Sequence, residues 1–495
     1  GKPILKSISV FYNCTYLKEI IVGEGNKVFS TKDGILYANV YDSTFEKEVL
    51  QLVVCPAAKA GEVNVLPDVT KVWANAFNGN LETTKVVFAD ATMANYSLEI
   101  GENAFKGCKK LAELVLPVGL NVISTNTFKD CTSLVSVTVP YTVRTIAIEA
   151  FTNCSSLTTI NFAETPEGKT EVGLEIADGK KSSDQYSTTI KSPFSNCTAL
   201  TEIEFPERTT YVGNYVFSYN NAIKKVTFPA TLANMGVSIF ESSKGIKEVV
   251  FKTHTEGENA GKTSLKTLPQ YTFAYSTIET ITLPEGIETL GYDVFGYCYS
   301  LTSINIPSTV KILGDKSTTS SSGEGWAFYG CTKLASVTFA PDSSLTTIGK
   351  DAFGKNCFES IEIPATVETI GDYAFESNKK LRTVTFLVDE TDNCSALESI
   401  GKWAFKETAV EELILPETRK ELKLATNLFQ KCTELRKVHL SSKVSAITDV
   451  FQDCKSEFEI TVAENNPYLK VHATLPLIIN ETKVTVEGEE KTLIN

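Results

Sequence analysis

The feature that most constrains this chain is a phenylalanine that returns about every 23 residues. Phe105-Lys-Gly-Cys108-Lys-Lys-Leu111, Phe128-Lys-Asp-Cys131-Thr-Ser-Leu134 and Phe151-Thr-Asn-Cys154-Ser-Ser-Leu157 superimpose without a gap, their anchors 23 residues apart. The anchor recurs at Phe194, Phe217, Phe240, Phe273, Phe295, Phe328, Phe353, Phe375, Phe405, Phe429 and Phe451, and upstream at Phe77 and Phe11. By length alone, 495 residues would be two to four globular domains. A short internal period overrides that prior: a unit of this size cannot bury its apolar face alone and must stack on copies of itself.

The repeat reads F-x-x-C-x-x-L-x-x-I/V-x-I/V/L/F-P, then V-x-x-I-G, two residues, and A/V-F. Its Leu-x-x-Ile-x-Ile part, as in Leu301-Thr-Ser-Ile304-Asn-Ile306, alternates apolar and polar residues. That pattern is a short strand with one buried face. The proline that follows, as in Pro307, Pro364 and Pro416, cannot donate to a ladder and ends the strand. Ile-Gly, as at Ile370-Gly371, marks a second turn, and the Ala-Phe segment after it is expected to form one helical turn carrying a buried ring.

The motifs Phe295-Gly-Tyr-Cys298-Tyr-Ser-Leu301-Thr-Ser-Ile304-Asn-Ile306-Pro307 and Ile370-Gly-Asp-Tyr-Ala-Phe375 resemble those of the BspA-type leucine-rich repeats, and the resemblance covers essentially the whole chain. The expected fold is therefore an α/β leucine-rich-repeat solenoid: strand-rich coils of about 23 residues with short helical turns, in one elongated right-handed array. The resemblance implies a secreted or surface-anchored protein that adheres to host or neighbouring-cell molecules. It carries over no catalytic residues and names no ligand.

Within residues 1–462 the array is interrupted near 24–66, where Asp33-Gly34 before an apolar run signals a tight turn and the apolar runs at 35–37 and 49–56 are expected to pair as a hairpin. Polar inserts fall near 163–190, 252–266, 314–325 and 387–396. Three of them follow Phe162, Phe251 and Phe386, at the same phase of the repeat. Such inserts mark either a functional edge or tolerated loop growth. Residues 463–495 lack the anchor and are expected to form a strand-rich cap over the last coil.

Chemistry-bearing clusters are missing. Net charge is −13 with no basic block, which disfavours nucleic acid and anionic membrane surfaces. No apolar run is long enough to span a membrane. The chain begins at Gly1 with no Met and no apolar leader, so a processed or recombinant start is expected, with any signal or lipid anchor removed. Of the twelve cysteines, nine (Cys14, Cys108, Cys131, Cys154, Cys197, Cys298, Cys331, Cys432, Cys454) occupy the third position after an anchor. Parallel Cβ vectors on coils roughly 4.8 Å apart do not meet disulfide geometry, in which Cβ atoms lie about 3.8 Å apart. Free, semi-buried thiols are expected. His254, His439 and His472 lie on separate coils, and no GxSxG, HExxH, P-loop or GxGxxG occurs; Gly257-Glu-Asn-Ala-Gly261-Lys262-Thr263 is one residue short of a P-loop. Neither catalysis, nor a metal, nor a cofactor is implied.

Two surfaces remain as candidates for binding an extracellular protein or glycan, with oligomeric state left open. The first is the outward face of the strands: Thr280, Thr282, Ser303, Asn305, Ser336, Thr338, Thr383 and Thr385. It is rich in hydroxyls and nearly free of the aromatic platforms that sugar sites present, although a merely solvated sheet has the same composition. The second is a pair of aromatic rows: Tyr215, Tyr271, Trp326, Tyr373 and Trp403 two residues before an anchor, Tyr219, Tyr275 and Tyr297 two after one. Tyrosine and tryptophan favour interfaces, but these rings equally suit covering the apolar edge of a neighbouring coil. A stalk that spaces other modules is the alternative to binding.

Overall fold

In the computed structural model, most repeats are coils with three sides: a strand, a second strand that is usually shorter, and a turn that carries the phenylalanine. Residues 8–492 are described, except 12–13, 44–45, 90–96, 182–188, 315–324, 446, 448, 455–457, 464, 468–482 and 487–488. The coils fall into two units, Gly1–Val250 and Phe251–Asn495.

The first side is the strand anticipated from the alternation. Ser136–Val139, Ser303–Ile306 and Ser360–Ile363 each alternate exposed and buried residues. Neighbouring coils pair in parallel and in register, Ser303 against Ser336 and Asn305 against Thr338, then Ser360 against Thr383 and Glu362 against Thr385. The same phase in every repeat keeps like residues opposite one another. The second side is a two-residue strand ending in the Ile of Ile-Gly, Thr347–Ile348 beside Thr369–Ile370 beside Ser399–Ile400. Glycine follows because the coils approach closely there. A Cβ on Gly371 would lie 2.6 Å from the Lys350 nitrogen, and one on Gly401 2.5 Å from that of Asp372.

The third side corrects the expected helical turn. Apart from the four-residue 3-10 helix Ile8–Phe11, the repeats contain no helix among the described residues. In the coil of Phe105, the amides of Ala104, Lys106 and Cys108 bond three residues back, to Gly101, Asn103 and Phe105. The alternate amides of Asn103, Phe105 and Gly107 donate instead to the next coil, to Thr125, Thr127 and Lys129. In this coil the alternation comes with left-handed backbone two residues before and two after the anchor, at Asn103 (φ 56°) and Gly107 (φ 75°), and most other coils repeat it. Left-handed residues cannot propagate a right-handed helix, so the segment becomes a third hydrogen-bonded ladder.

The core is the phenylalanine stack. In the second unit Phe295 and Phe328 lie 5.1 Å apart at 4°, and Phe328 and Phe353 5.3 Å apart at 3°. In the first, Phe105, Phe128 and Phe151 stack at 5.5 and 5.3 Å. Beside each ring the cysteine column has its own role. Cys131 Sγ donates to the Phe105 carbonyl (3.1 Å), Cys154 to Phe128 (3.1 Å), Cys331 to Phe295 (3.0 Å) and Cys432 to Phe405 (3.0 Å). Where the thiol is replaced, Ser243 and Asn378 donate to Phe217 and Phe353 in its stead. The thiol is thus a small apolar body with one weak donor aimed at a buried carbonyl. All twelve cysteines are free.

Near 24–66, strands Phe29–Lys32, Ile35–Asp42 and Lys47–Val54 run antiparallel, turning at Asp33 and Gly34, both with positive φ. Of the insert near 163–190, Lys180–Lys181 pairs with Ile190–Lys191, and residues 182–188 lie outside the described residues. Most of the insert near 314–325 also lies outside them, as does much of 463–495, including His472. In that last segment strand Lys483–Val486 pairs in parallel with Glu459–Val462 and antiparallel with Glu489–Thr492.

Candidate functional site

The strand face of the second unit carries the hydroxyl row where the pattern placed it. Ser303, Asn305, Ser336, Thr338, Thr383 and Thr385 are exposed on strands, and Thr338 donates its hydroxyl to Asn305 Oδ1 (2.9 Å). Thr280 and Thr282 are exposed too, but their segment forms no regular strand. Ser360 and Glu362 complete the row. They escaped the sequence reading because the cysteine of that coil, Cys357, sits one residue late in the repeat.

Toward its C-terminal end this face hollows into a groove of about 740 Å³, where Thr383, Thr385 and Phe386 meet Glu412, Ile414 and His439. Pro416 and Val388 form its sides. Ile414 is 56 % exposed and Val388 39 %. Val388 belongs to the insert that follows Phe386, so the insert walls a depression whose floor is built by regular strands. Around it Arg382 pairs with Glu411, and Lys437 Nζ lies 3.6 Å from Glu412 Oε1. Glu417 is held by the Ser442 amide (2.9 Å) and hydroxyl. His439 Nδ1 lies 2.8 Å from Thr461 Oγ1. The arrangement offers a mainly apolar floor with carboxylates at its margin, which suits adsorption of a complementary surface. Among the described residues of either unit, no group of three or more His, Cys, Asp or Glu is placed to hold a metal ion.

The aromatic rows occupy the left-handed positions of the turn ladder: Tyr215, Tyr219, Tyr271, Tyr275, Tyr297, Trp326, Tyr373 and Trp403 all have φ between 55° and 60°. Bulky residues seldom adopt this conformation. In the second unit the rings are packed on one another. Tyr275 stacks on Tyr297 (4.7 Å, 9°) and Tyr373 on Trp403 (4.9 Å, 15°), while Trp326 lies 4.4 Å from Tyr329. Tyr271 meets Tyr292 edge-on at 5.4 Å. Lys355 caps Tyr329 at 4.9 Å and Lys350 caps Tyr373 at 5.8 Å. Rings also rest on the glycines of the next coil: a Cβ on Gly330 would come within 3.0 Å of Tyr297, and one on Gly354 within 2.8 Å of Tyr329. Stacked in this way, the rings have their faces against neighbours. In the first unit the Lys181 ammonium lies 5.8 Å from the centre of the Tyr219 ring. Tyr292, Tyr299 and Tyr329 were missed because they stand outside the two fixed offsets; their crowding around Phe295 and Phe328 was the available signal.

In the same column as Trp326 and Tyr373, burial pushes the Asp351 carboxyl up to about 6, against the opposing pull of Lys350, Lys355 and the Trp326 side chain. Burial likewise raises the thiols, Cys197 to about 12 and Cys432 to about 11, which leaves them protonated and unreactive at neutral pH.

The family model described as BspA type leucine rich repeat region matches in six copies, over residues 70–172, 188–324, 318–422 and 346–473. The chain belongs to this family. As a BspA-type repeat protein it is similar to a leucine-rich repeat protein from Bacteroides ovatus, at 21% identity over 86% of this chain and 98% of the other, with a TM-score of 0.47. It is similar as well to a leucine rich cell surface protein from Faecalibacterium prausnitzii, at 16% identity over 74% of this chain and 97% of the other (TM-score 0.33). The pneumococcal vaccine antigen PcpA is 15% identical over 94% of this chain and 100% of its own (TM-score 0.27). No curated protein matches. Among the described residues no helix is long and apolar enough to cross a membrane.

Proposed function

We propose that this BspA-type protein is displayed outside the cell and binds a protein partner through the strand face of its second unit. The observation that carries this reading is the groove beside Thr383 and Thr385, where an isoleucine stands in water on a face whose other outward residues are polar. A face built only to be solvated gains nothing from Ile414, whereas a contact surface gains the burial of its apolar area. The aromatic edge favours a protein partner over a glycan in the opposite sense: rings stacked on each other offer no open platform for a sugar. Family membership fits a repeat-built binding or scaffold role.

The test is binding of the purified chain to a panel of purified extracellular-matrix proteins in a surface-based assay. Saturable binding that is lost when Ser336, Thr383 and Thr385 are together replaced by lysine, and kept when Tyr275 and Tyr297 are replaced by asparagine, supports the reading. The reverse pattern assigns the partner to the aromatic edge. Saturable binding to none of the panel favours the spacer role.

A further inference from the structure

We infer that the groove beside Ile414 takes a cationic protein segment, anchored by one apolar side chain with lysine or arginine on either side. The inference rests on the protein-binding reading above and adds the chemistry of the ligand. Three observations lead to it.

Strand Glu412–Ile414 lies inside the sheet, with a neighbouring strand on each side. Thr383 pairs with Glu412, and Glu412 and Ile414 pair with Lys437 and His439, so parallel ladders run on both sides of strand Glu412–Ile414. The strand has no free sheet edge for a partner to join, so recognition runs through side chains. Secondly, the exposed apolar lining is mostly aliphatic: Ile414 and Val388 are 56 % and 39 % exposed, beside Phe386 and Pro416. Such a floor accepts a leucine, isoleucine or phenylalanine side chain, the anchor type around which protein interfaces concentrate their affinity. Thirdly, the margin is acidic. Its charge is net negative: Glu411, Glu412 and Glu417 line the groove, against Arg382, which pairs with Glu411, and Lys437, which lies beside Glu412. The margin is open to solvent, so its charge steers and selects the partner rather than gripping it. The chain as a whole carries −13, which argues against a second copy of itself as the occupant.

The experiment uses the whole chain and fluorescently labelled synthetic dodecapeptides read by anisotropy. One peptide carries leucine between lysines, a second has the leucine replaced by serine, and a third has the lysines replaced by glutamate. The lysine–leucine peptide is expected to bind saturably, the other two roughly 10- to 30-fold more weakly, and binding should weaken as salt rises. Ile414→Asp and, independently, Val388→Lys in the insert should each weaken it by about tenfold or more, with unchanged circular dichroism. Equal binding of the glutamate peptide, or full binding by both variants, overturns the inference. If every peptide fails while a matrix protein still binds through Thr383 and Thr385, the ligand chemistry is wrong and the protein-binding reading stands. If neither binds, both fall.

Discussion

In the first unit the left-handed positions flanking the anchors are held by Asn103 and Gly107, Asn126 and Asp130, Glu149 and Asn153; in the second they are held by Tyr271 and Tyr275, Asp293 and Tyr297, Trp326 and Gly330. Both sets meet the same backbone demand. Asparagine, aspartate and glycine meet it with little conformational cost, whereas other L-residues lose about 1–2 kcal/mol in this region. The rings recover a similar amount, because each stacked or edge-on pair is worth roughly 0.5–1.5 kcal/mol beyond its buried area. The difference teaches that the turn ladder fixes the conformation of a column but not its chemistry. These coils of the first unit fill the column mostly with residues the backbone prefers, although Tyr215 and Tyr219 farther along that unit are rings, and these coils of the second exchange backbone ease for contact between coils.

The comparison breaks most readily at the core the units share. Phe128→Ala and Phe328→Ala should each cost about 3–5 kcal/mol, as expected for a ring removed from a close-packed site. Denaturant unfolding of the whole chain checks this, and a loss well below that range in one unit would mean that its stack is not structural. Next in size is Asp351, which stands in the left-handed column two residues before Phe353. Its carboxyl gives up its proton near 6 in the folded chain, against about 3.9 unfolded. Because the folded pKa is raised, stability should fall as pH climbs from about 4 to about 6 and then stay level. Asp351→Asn should remove that slope and raise stability at pH 7 by roughly 1–3 kcal/mol. A slope that persists in the variant would place the titration elsewhere.

A reciprocal exchange sharpens the contrast itself. Asn103→Tyr puts a ring into the left-handed column where none of the aromatic network exists, and should cost about 1–2 kcal/mol. Tyr297→Asn relieves the backbone but abandons Tyr275 and Tyr329, and should cost about 1 kcal/mol on balance. If the tyrosine variant of the first unit were as stable as the parent, the rings would carry no conformational cost and the trade would be imaginary. The smallest effect is an expected identity. In native alkylation the exposed Cys14 should react first, while Cys131 and Cys331, both buried and bonded to a carbonyl, stay protected until unfolding. Mass spectrometry of labelled peptides reads this, and early labelling of either buried thiol would contradict the hydrogen-bonded column.

Much of the fold was legible in the chain because a repeat multiplies every weak signal. One Leu-x-x-Ile-x-Ile stretch is an ambiguous strand, but stacked copies fix its phase, its buried face and its parallel register. The helical turn was misread for a physical reason. Ala-Phe at that spacing looks like one turn of an amphipathic helix, and the left-handed residues that forbid it are obvious at Asn103 and Gly107 but disguised at Tyr373 and Trp403. The candidate surfaces divide in the same way. Ser303, Ser336 and Thr383 followed from alternation alone, since outward and inward are set by a period of two.

By itself the sequence determined that the chain must stack, which side chains enter the core, and that a row of hydroxyls lines one face. Those properties are local and periodic, and a period can be read along a line. Only the tertiary structure decided that the cysteines donate to the phenylalanine carbonyls, that the tyrosines lie against one another, and that Val388 of an insert stands over Ile414 of the next coil. Each of these joins residues some twenty or more apart, at distances set by the spacing of coils and by the paths of loops that have no period.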